Sequence, residues 1–194
     1  MTQTATEVRN QTLHPIAPRL AQRWSPRGFD EAAEIDRDEL LSIIEAARWA
    51  PSAGNTQPWS FIVARRGTGQ FDAIIGALAG FNTSWTPAAS ALIVFNSVPE
   101  RAGKMTRWID YDLGQAAAHA TMQAEYLGYN VHQMGGFDPE AIANAFDLPP
   151  GVTPTSVMAI GVHDASEAVA ADIRARDAAE RSRLPLDEVL ASTI

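Results

Sequence analysis

The stretch from Arg48 to Phe61, RWAPSAGNTQPWSF, joins the end of an apolar helix to the start of a strand. Pro51 cannot donate a helical backbone hydrogen bond, and Pro58 opens an extended segment, so a loop is predicted between them. Within that loop Asn55 and Gln57 each carry amide donors and an acceptor. These groups match the edge of a planar heterocycle with alternating carbonyl and N–H groups, and a polar loop that binds nothing is an equal alternative.

Hydrophobic periodicity predicts helices and strands in irregular alternation around this loop. Asp36 and Glu39 form a candidate capping box for the helix that ends before the loop, and Asp138 followed by Pro139 predicts the start of another. Further helices are predicted over 68–79, 106–127 and 167–180, and strands over 59–66, 89–98, 129–133 and 154–162. The element counts alone allow a doubly wound sheet as well as an α+β fold.

Composition predicts one compact domain, 1–194, with a loose N-terminal arm over 1–15. The chain has 194 residues, 46% of them hydrophobic, which is enough for a substantial core. Its net charge of -8 argues against nucleic acid and anionic membranes as partners. We expect no signal peptide and no membrane span. The absence of cysteine excludes disulfides and thiolate chemistry and is consistent with a reducing compartment, so a cytoplasmic location is expected.

Common catalytic and metal-binding motifs are missing. Gly67-Thr68-Gly69 begins a dinucleotide fingerprint, but Asp72 occupies the position of its third glycine. There is no G-x-S-x-G, H-E-x-x-H or Walker motif, and the four histidines lack metal-ligand spacing. We therefore predict no metal site and no catalytic side chain. Redox chemistry stays open because a bound cofactor can supply the reactive atom.

Four separated motifs resemble those of the FMN-dependent nitroreductase family. They are RWSPR at 23–27, followed by Phe29; PSAGNTQPW at 51–59; GGFD at 135–138; and RSRLP at 181–185. Because all four occur in the family's order and extend over nearly the whole chain, together they are far more specific than any one of them.

The resemblance implies an α+β fold in which a central mixed, mostly antiparallel sheet is flanked by helices, within an intertwined homodimer. The C-terminal tail, 181–194, would pack across that dimer. The implied cofactor is FMN, with NADPH or NADH as electron donor. The implied reaction is ping-pong reduction of nitroaromatic, quinone or similar electron-poor small molecules.

The family's roles also imply where the flavin is held. The predicted cofactor-binding residues are Arg23, Trp24, Ser25, Arg27, Ser52, Asn55, Gln57, Gly135, Gly136, Arg181 and Arg183. The residues at 23–27, Arg23, Trp24, Ser25 and Arg27, would bind the phosphate, ribityl and pyrimidine portions. Arg181 and Arg183 would close over the phosphate. Ser52 and Asn55 would reach the flavin of the neighbouring subunit, and the paired glycines would face the reactive ring nitrogen. The substrate channel is expected to include 80–85 and the aromatic residues near Arg107.

Two other functions remain open at the level of sequence. One is a flavin-dependent oxidase or dehydrogenase of a specialised metabolite, which would keep the fold and change the reaction. The other is a non-catalytic flavin-binding or sensor protein. An acidic dimer without a cofactor is a third reading, and it predicts a colourless protein.

Overall fold

The computed structural model describes residues 10–101, 103–105 and 107–192. Its longer helices are α2 (Arg37–Arg48), α3 (Gly69–Ala77), α4 (Ile109–Leu127), α5 (Pro139–Ala145) and α6 (Ala171–Ala178), with short α1 (Pro18–Gln22) and α7 (Leu186–Val189) near the two ends of the chain. Its strands are β1 (Trp59–Arg65), β2 (Ala91–Ser97), β3 (Glu100–Arg101), β4 (Lys104–Met105), β5 (Asn130–Met134) and β6 (Thr153–Gly161).

Four strands form the central sheet in the order β1-β2-β6-β5, while β3 and β4 pair only with each other. Every pairing among the described strands is antiparallel, with Phe61 opposite Phe95 and Val131 opposite Ile160. The α+β fold is therefore confirmed, and a doubly wound parallel sheet is excluded. The strand β5 lies at one edge of the sheet, where its outer side is open to other parts of the chain.

The apolar run of β2 is buried on both faces of the sheet. Ile93 and Phe95 pack in a core with α2 and α4, whereas Leu92 and Val94 pack in a second core with α3 and α5. Since side chains alternate along a strand, one continuous hydrophobic run supplies both cores. Helices consequently cover both faces of the sheet, and the edge at β5 is not covered in the same way.

The predicted signals at the start of α2 and the end of α4 are present in the structure, with one correction at Glu39. Asp36 caps α2 by accepting a hydrogen bond from the backbone N–H of Asp38. Glu39 does not complete a capping box, because its carboxylate accepts a 2.6 Å hydrogen bond from the Tyr129 hydroxyl. Burial and this bond raise the pKa of Tyr129 to about 12. Gly128 ends α4 in the left-handed conformation, as expected for a C-terminal glycine.

Several predicted boundaries differ from the structure by one to four residues, and two of them have a clear physical reason. The last long helix begins at Ala171 and not at 167, because Asp164 and Ser166 form a hydrogen-bonded turn first. The helix predicted to run to 79 ends at Ala77, since the next residue forms an isolated bridge with Phe137. The helix predicted from 106 begins at Ile109, and residue 106 itself lies outside the described residues.

The predicted N-terminal arm falls mostly outside the described part of the chain, which begins at Asn10. The Asn10 side chain donates a 2.8 Å hydrogen bond to the backbone carbonyl of Arg23. This contact ties the described end of the arm to the start of the first predicted cofactor motif.

Candidate functional site

A cavity of about 230 Å³ lies between the segment after α1 and the end of α6. We call it the arginine cavity, and it is lined by Arg23, Trp24, Ser25, Arg27, Arg176, Asp177, Ala179, Glu180, Arg181 and Arg183. The four arginines predicted from opposite ends of the sequence thus meet at one place. Arg176 is a fifth, which the sequence analysis missed. Guanidinium groups are planar donors suited to phosphate oxygens, so this cavity fits a phosphorylated ligand.

The arginine loop, residues 23–29, is held from outside by a buried acid. The Asp177 carboxylate accepts hydrogen bonds from the backbone N–H of Arg27, at 2.9 and 3.0 Å, and of Gly28, at 2.8 Å. A Cβ atom at Gly28 would lie 2.6 Å from the backbone oxygen of Asp164, so only glycine fits there. Asp177 was missed because no sequence motif contains it; only the fold brings it to the loop.

Trp24 is buried within the wall of this cavity, with 7% of its surface exposed. Its ring makes an edge contact with the His163 ring, at 4.9 Å between centroids. The Arg181 guanidinium lies over the Trp24 ring, 4.8 Å from its centroid. The structure therefore places Trp24 as a platform that carries one of the predicted phosphate-binding arginines.

Two titratable side chains lie near the arginine loop: His132 contacts its backbone, and Glu125 is close enough for the Arg23 charge to affect its pKa. His132, on β5, makes a 2.9 Å hydrogen bond through Nδ1 to the backbone carbonyl of Pro26, which assigns the proton to Nδ1. Burial lowers the pKa of His132, and the nearby charge of Arg27 lowers it further. Burial raises the pKa of Glu125 on α4, against an opposing effect of the Arg23 charge.

Gly135 and Gly136 follow β5 directly, and both are exposed. The carbonyl of Gly136 accepts hydrogen bonds from the backbone N–H of Ala79, at 3.0 Å, and from the Asn82 side chain, at 3.2 Å. A Cβ atom on Gly136 would lie 2.9 Å from the Asn82 amide nitrogen. Neither glycine has a positive φ. At Gly136 the missing side chain allows the close approach of Asn82, whereas a Cβ at Gly135 would meet nothing within 4 Å.

The edge strand β5 connects these glycines to the arginine cavity. His132 contacts Pro26 of the arginine loop, and Gly136 lies four residues further along the chain. At about 3.3 Å per residue in a strand, the glycines lie roughly 13 Å from that contact. The strand thus links the arginine cavity at one end to the exposed backbone of the two glycines at the other.

The amide loop, residues 52–57, has a left-handed backbone at three positions. Gly54, Asn55 and Gln57 have φ values of 58°, 55° and 49°. The loop is braced internally by the Ser52 hydroxyl, which accepts a 3.0 Å hydrogen bond from the backbone N–H of Gln57. Outside the loop, the buried Asp112 carboxylate accepts one from the N–H of Ala53, also at 3.0 Å.

Within one chain the amide loop does not reach the arginine cavity. Asp112 contacts the amide loop, whereas Glu125 lies close enough to Arg23 for that charge to affect its pKa. The two acids are thirteen residues apart on α4. At 1.5 Å per residue, about 20 Å of helix separates them. Ser52, Asn55 and Gln57 are thus apart from the other predicted site residues.

A second cavity, of about 530 Å³, lies beside the amide loop. Its lining includes Pro51, Ser52 and Ala53 from the chain around that loop and Trp108 and Tyr111 from the start of α4. Tyr111 is 67% exposed. This open, partly aromatic surface can accept a planar molecule.

Metal clusters and membrane-spanning helices are both absent from residues 10–101, 103–105 and 107–192. No group of three or more histidine or acidic side chains in these residues could hold a metal ion. No helix among the described residues is both long and apolar enough to cross a membrane.

Comparison with known proteins agrees with the motifs. A model of the nitroreductase family matches residues 20–91. The chain is 27% identical over 165 residues to YdgI of Bacillus subtilis (strain 168), named as a candidate NAD(P)H nitroreductase, with 65% of this chain and 77% of that protein covered. It is 39% identical over 137 residues to an uncharacterized 15.4 kDa protein of Mycolicibacterium smegmatis, with 66% of this chain and 92% of that protein covered.

Several solved structures match almost the full length, and one of them illustrates the likeness. It is described as an oxidoreductase containing FMN and is 32% identical, with a TM-score of 0.86 over 98% of this chain and 96% of that chain. The sequence motifs, the sheet order and these matches agree, and the chain belongs to the nitroreductase family.

Proposed function

We propose that this chain binds FMN along the surface from the arginine cavity to Gly136, and uses NAD(P)H to reduce nitroaromatic, quinone or similar electron-poor molecules by ping-pong turnover. As a member of its family, the chain is an NAD(P)H-dependent flavin oxidoreductase. One observation carries the proposed site: arginines from both ends of the chain line one cavity beside the edge strand β5.

The cavity would hold the FMN phosphate. Arg23 and Arg27 on one side, and Arg181 and Arg183 on the other, would surround it with charge-assisted donors. This local positive charge is needed because the chain as a whole carries a net charge of -8. The Ser25 hydroxyl lines the same cavity and would add one neutral hydrogen bond.

The flavin ring would lie over the end of β5. There the exposed backbone of Gly135 and Gly136 offers close approach, and Asn82 adds a side-chain amide next to Gly136. When bound, FMN supplies the redox chemistry, accepting hydride from NAD(P)H and passing electrons to the acceptor. The chain's own task is to orient the ring and to leave one ring face accessible, so no general acid or base is assigned.

A second copy of the chain would complete the site. The amide loop lies about 20 Å along α4 from the arginine cavity, so Ser52, Asn55 and Gln57 would act on the flavin of the partner. Large apolar side chains are exposed and available for such an interface; they include Leu13, Trp49, Tyr111, Tyr126 and Leu184. The C-terminal tail from Arg181 would pack across the homodimer.

The acceptor would enter between the amide loop and the start of α4. Trp108 and Tyr111 make an edge contact at 6.3 Å between centroids, and the Arg107 guanidinium lies 4.5 Å from the Trp108 ring centroid. Aromatic faces of this kind stack on planar, electron-poor rings. The segment 80–85 lies next to Gly136, so in the homodimer it would contribute the opposite wall from the other copy of the chain.

Absorbance spectroscopy tests the proposal directly. The purified protein should be yellow, release FMN on denaturation, and lose its visible band on anaerobic addition of NADPH or NADH. Re-oxidation by a nitroaromatic or a quinone should restore the band. Flavin that binds but is not reduced by either nicotinamide would contradict the proposed reaction, and a protein that takes up no FMN would contradict the site as well.

Alanine variants test the phosphate site. Charge-assisted hydrogen bonds contribute about 1.5–3 kcal/mol each, so Arg27→Ala and Arg183→Ala should each weaken FMN binding by roughly 10- to 100-fold. The matched control is Arg37→Ala, since the Arg37 side chain is 73% exposed on α2. Unchanged FMN binding in both cavity variants would reject this assignment.

A further inference from the structure

We propose that Asp177 is a positioning residue of the phosphate site: its carboxylate holds the backbone of the arginine loop in the shape that presents the loop's guanidinium groups to the phosphate. This inference rests on the proposed FMN site and adds a residue that belongs to none of the four sequence motifs.

The contacts of Asp177 are directed at the backbone of the loop. Both carboxylate oxygens accept from the N–H of Arg27, and Oδ2 also accepts from the N–H of Gly28, at 2.8 Å. Two successive N–H groups therefore converge on one acid. Because only an acceptor can satisfy both, the side chain of Asp177 fixes the direction of the peptide units that flank Arg27.

The position is unfavourable for an acid in three ways. Asp177 is the second-last residue of α6, where the helix dipole disfavours a negative charge, and only 6% of its surface is exposed. It also lines the arginine cavity, where it would repel a bound phosphate. Burial, the helix dipole and the charge of a bound phosphate all disfavour an acid at this position. The hydrogen bonds that Asp177 accepts from two backbone N–H groups explain why an acid stands there.

The influence of Asp177 extends to the other side of the cavity. The Nε2 atom of His163 lies 3.8 Å from Asp177 Oδ2, and the His163 ring packs against Trp24. Trp24 in turn carries Arg181. A continuous series of contacts, from Asp177 to Arg181, thus joins the arginine loop to the C-terminal arginines. Displacement of the acid should disturb both sets of phosphate donors.

The test compares FMN with riboflavin, which has the same ring and lacks the phosphate. In the full-length protein, Asp177→Asn keeps the side-chain volume but removes the charge, and it replaces one carboxylate oxygen by an NH2 group, which cannot accept from the backbone N–H that faces it. We expect the Kd for FMN to rise by about 10- to 100-fold and the Kd for riboflavin to change less than twofold. The matched control is Asp172→Asn, an exposed acid on the same helix, which should change neither Kd.

The outcomes separate this inference from the proposed function. If the unmodified protein binds FMN and riboflavin equally, the phosphate site itself is wrong and the role of Asp177 is wrong with it. If the unmodified protein prefers FMN and Asp177→Asn keeps that preference, the phosphate site stands and the role of Asp177 is overturned.

A purely structural role gives a third pattern, in which Asp177→Asn weakens the binding of FMN and riboflavin equally. That pattern also overturns the inference. Should this variant fail to fold by circular dichroism, Asp177→Glu keeps the charge and shifts the carboxylate by one methylene. It should show the same selective loss for FMN, and an equal loss for both flavins would again count against positioning.

Discussion

The arginine loop and the amide loop belong to the same proposed site, yet they are held in shape by different means. Nothing in the arginine loop has a left-handed backbone. Its fixed points come from distant parts of the chain: Asp177, His132 and the backbone N–H of Asp164, which donates a 3.1 Å hydrogen bond to the carbonyl of Gly28. The amide loop adopts three left-handed residues and relies mainly on hydrogen bonds among its own residues.

This difference indicates how each loop should respond to change. The first loop is a product of tertiary packing, so its shape should fail when a packed neighbour is displaced. The second stores local backbone strain, of order 1–3 kcal/mol per left-handed residue other than glycine, and depends on the rest of the chain at few points, such as Asp112. Crowding should therefore harm the first loop, and backbone substitution should change the second.

The largest contrast is expected for alanine at one glycine in each loop. In Gly28→Ala, the new Cβ would lie 2.6 Å from a backbone oxygen and 3.1 Å from Val169 Cγ1, so the loop must move. We expect a loss of about 2–3 kcal/mol in the free energy of unfolding, as for other overpacked sites. In Gly54→Ala, the Cβ meets nothing within 4 Å, and only its φ of 58° is unfavourable. About 1 kcal/mol should be lost there.

Urea unfolding of the FMN-free proteins at one protein concentration measures both values, because bound FMN would add its own binding free energy to the stability. FMN binding should fall strongly in Gly28→Ala, because the displaced loop carries Arg27. Equal destabilisation by the two substitutions, or a larger effect at Gly54, would mean that packing does not distinguish the loops.

A pH titration sharpens the comparison on the side of the arginine loop. The pKa of His132 is lowered in the folded protein, chiefly by burial, so folding favours the neutral ring. Below the unfolded pKa of about 6.5 the unfolded chain binds the proton first, and stability is lost as the pH falls towards the lower folded pKa. This single group can contribute no more than about 1.4 kcal/mol per pH unit.

His132→Asn keeps a donor close to the position of Nδ1 and removes the titration. Its free energy of unfolding should fall less steeply than that of the unmodified protein between pH 7.5 and 5.5. His119→Asn, at an exposed site on α4, serves as the control and should leave the slope unchanged. Parallel curves for all three proteins would show that His132 does not contribute to the acid sensitivity of the fold.

Local signals in the sequence were sufficient for the parts of the molecule that are held locally. The end of α2 before Pro51, the Asp138 cap of α5 and the glycine that ends α4 each depend on neighbours within a few residues. The amide loop belongs to this class, since Asn55 and Gln57 are visible in its motif.

The tertiary part of the site could not be predicted in the same way. Asp177 lies 150 positions from Arg27 along the chain, and Arg176 enters the cavity only because α6 packs beside the arginine loop. The burial of Trp24 had the same cause: its partners His163 and Arg181 come from distant segments. The family motifs identified the arginines themselves, but the contacts that orient them depend on packing that no motif records.

The smallest effect, and the closest test of strain in the amide loop, is expected for glycine at Gln57. A left-handed backbone costs a residue with a side chain about 1–2 kcal/mol, while glycine loses roughly 0.5–1 kcal/mol through its freer unfolded chain. Gln57→Gly should therefore be more stable by about 0.5 kcal/mol and bind flavin less well, because the side-chain amide is gone. Asp147→Gly, at an exposed residue after α5 with a φ of 48°, should gain similar stability without any change in flavin binding. If both variants gain stability and only Gln57→Gly loses flavin binding, the strained backbone at Gln57 is kept for its role in binding. Destabilisation by Gln57→Gly would instead mean that the 3.3 Å hydrogen bond from its amide to the carbonyl of Asn55 outweighs the backbone cost.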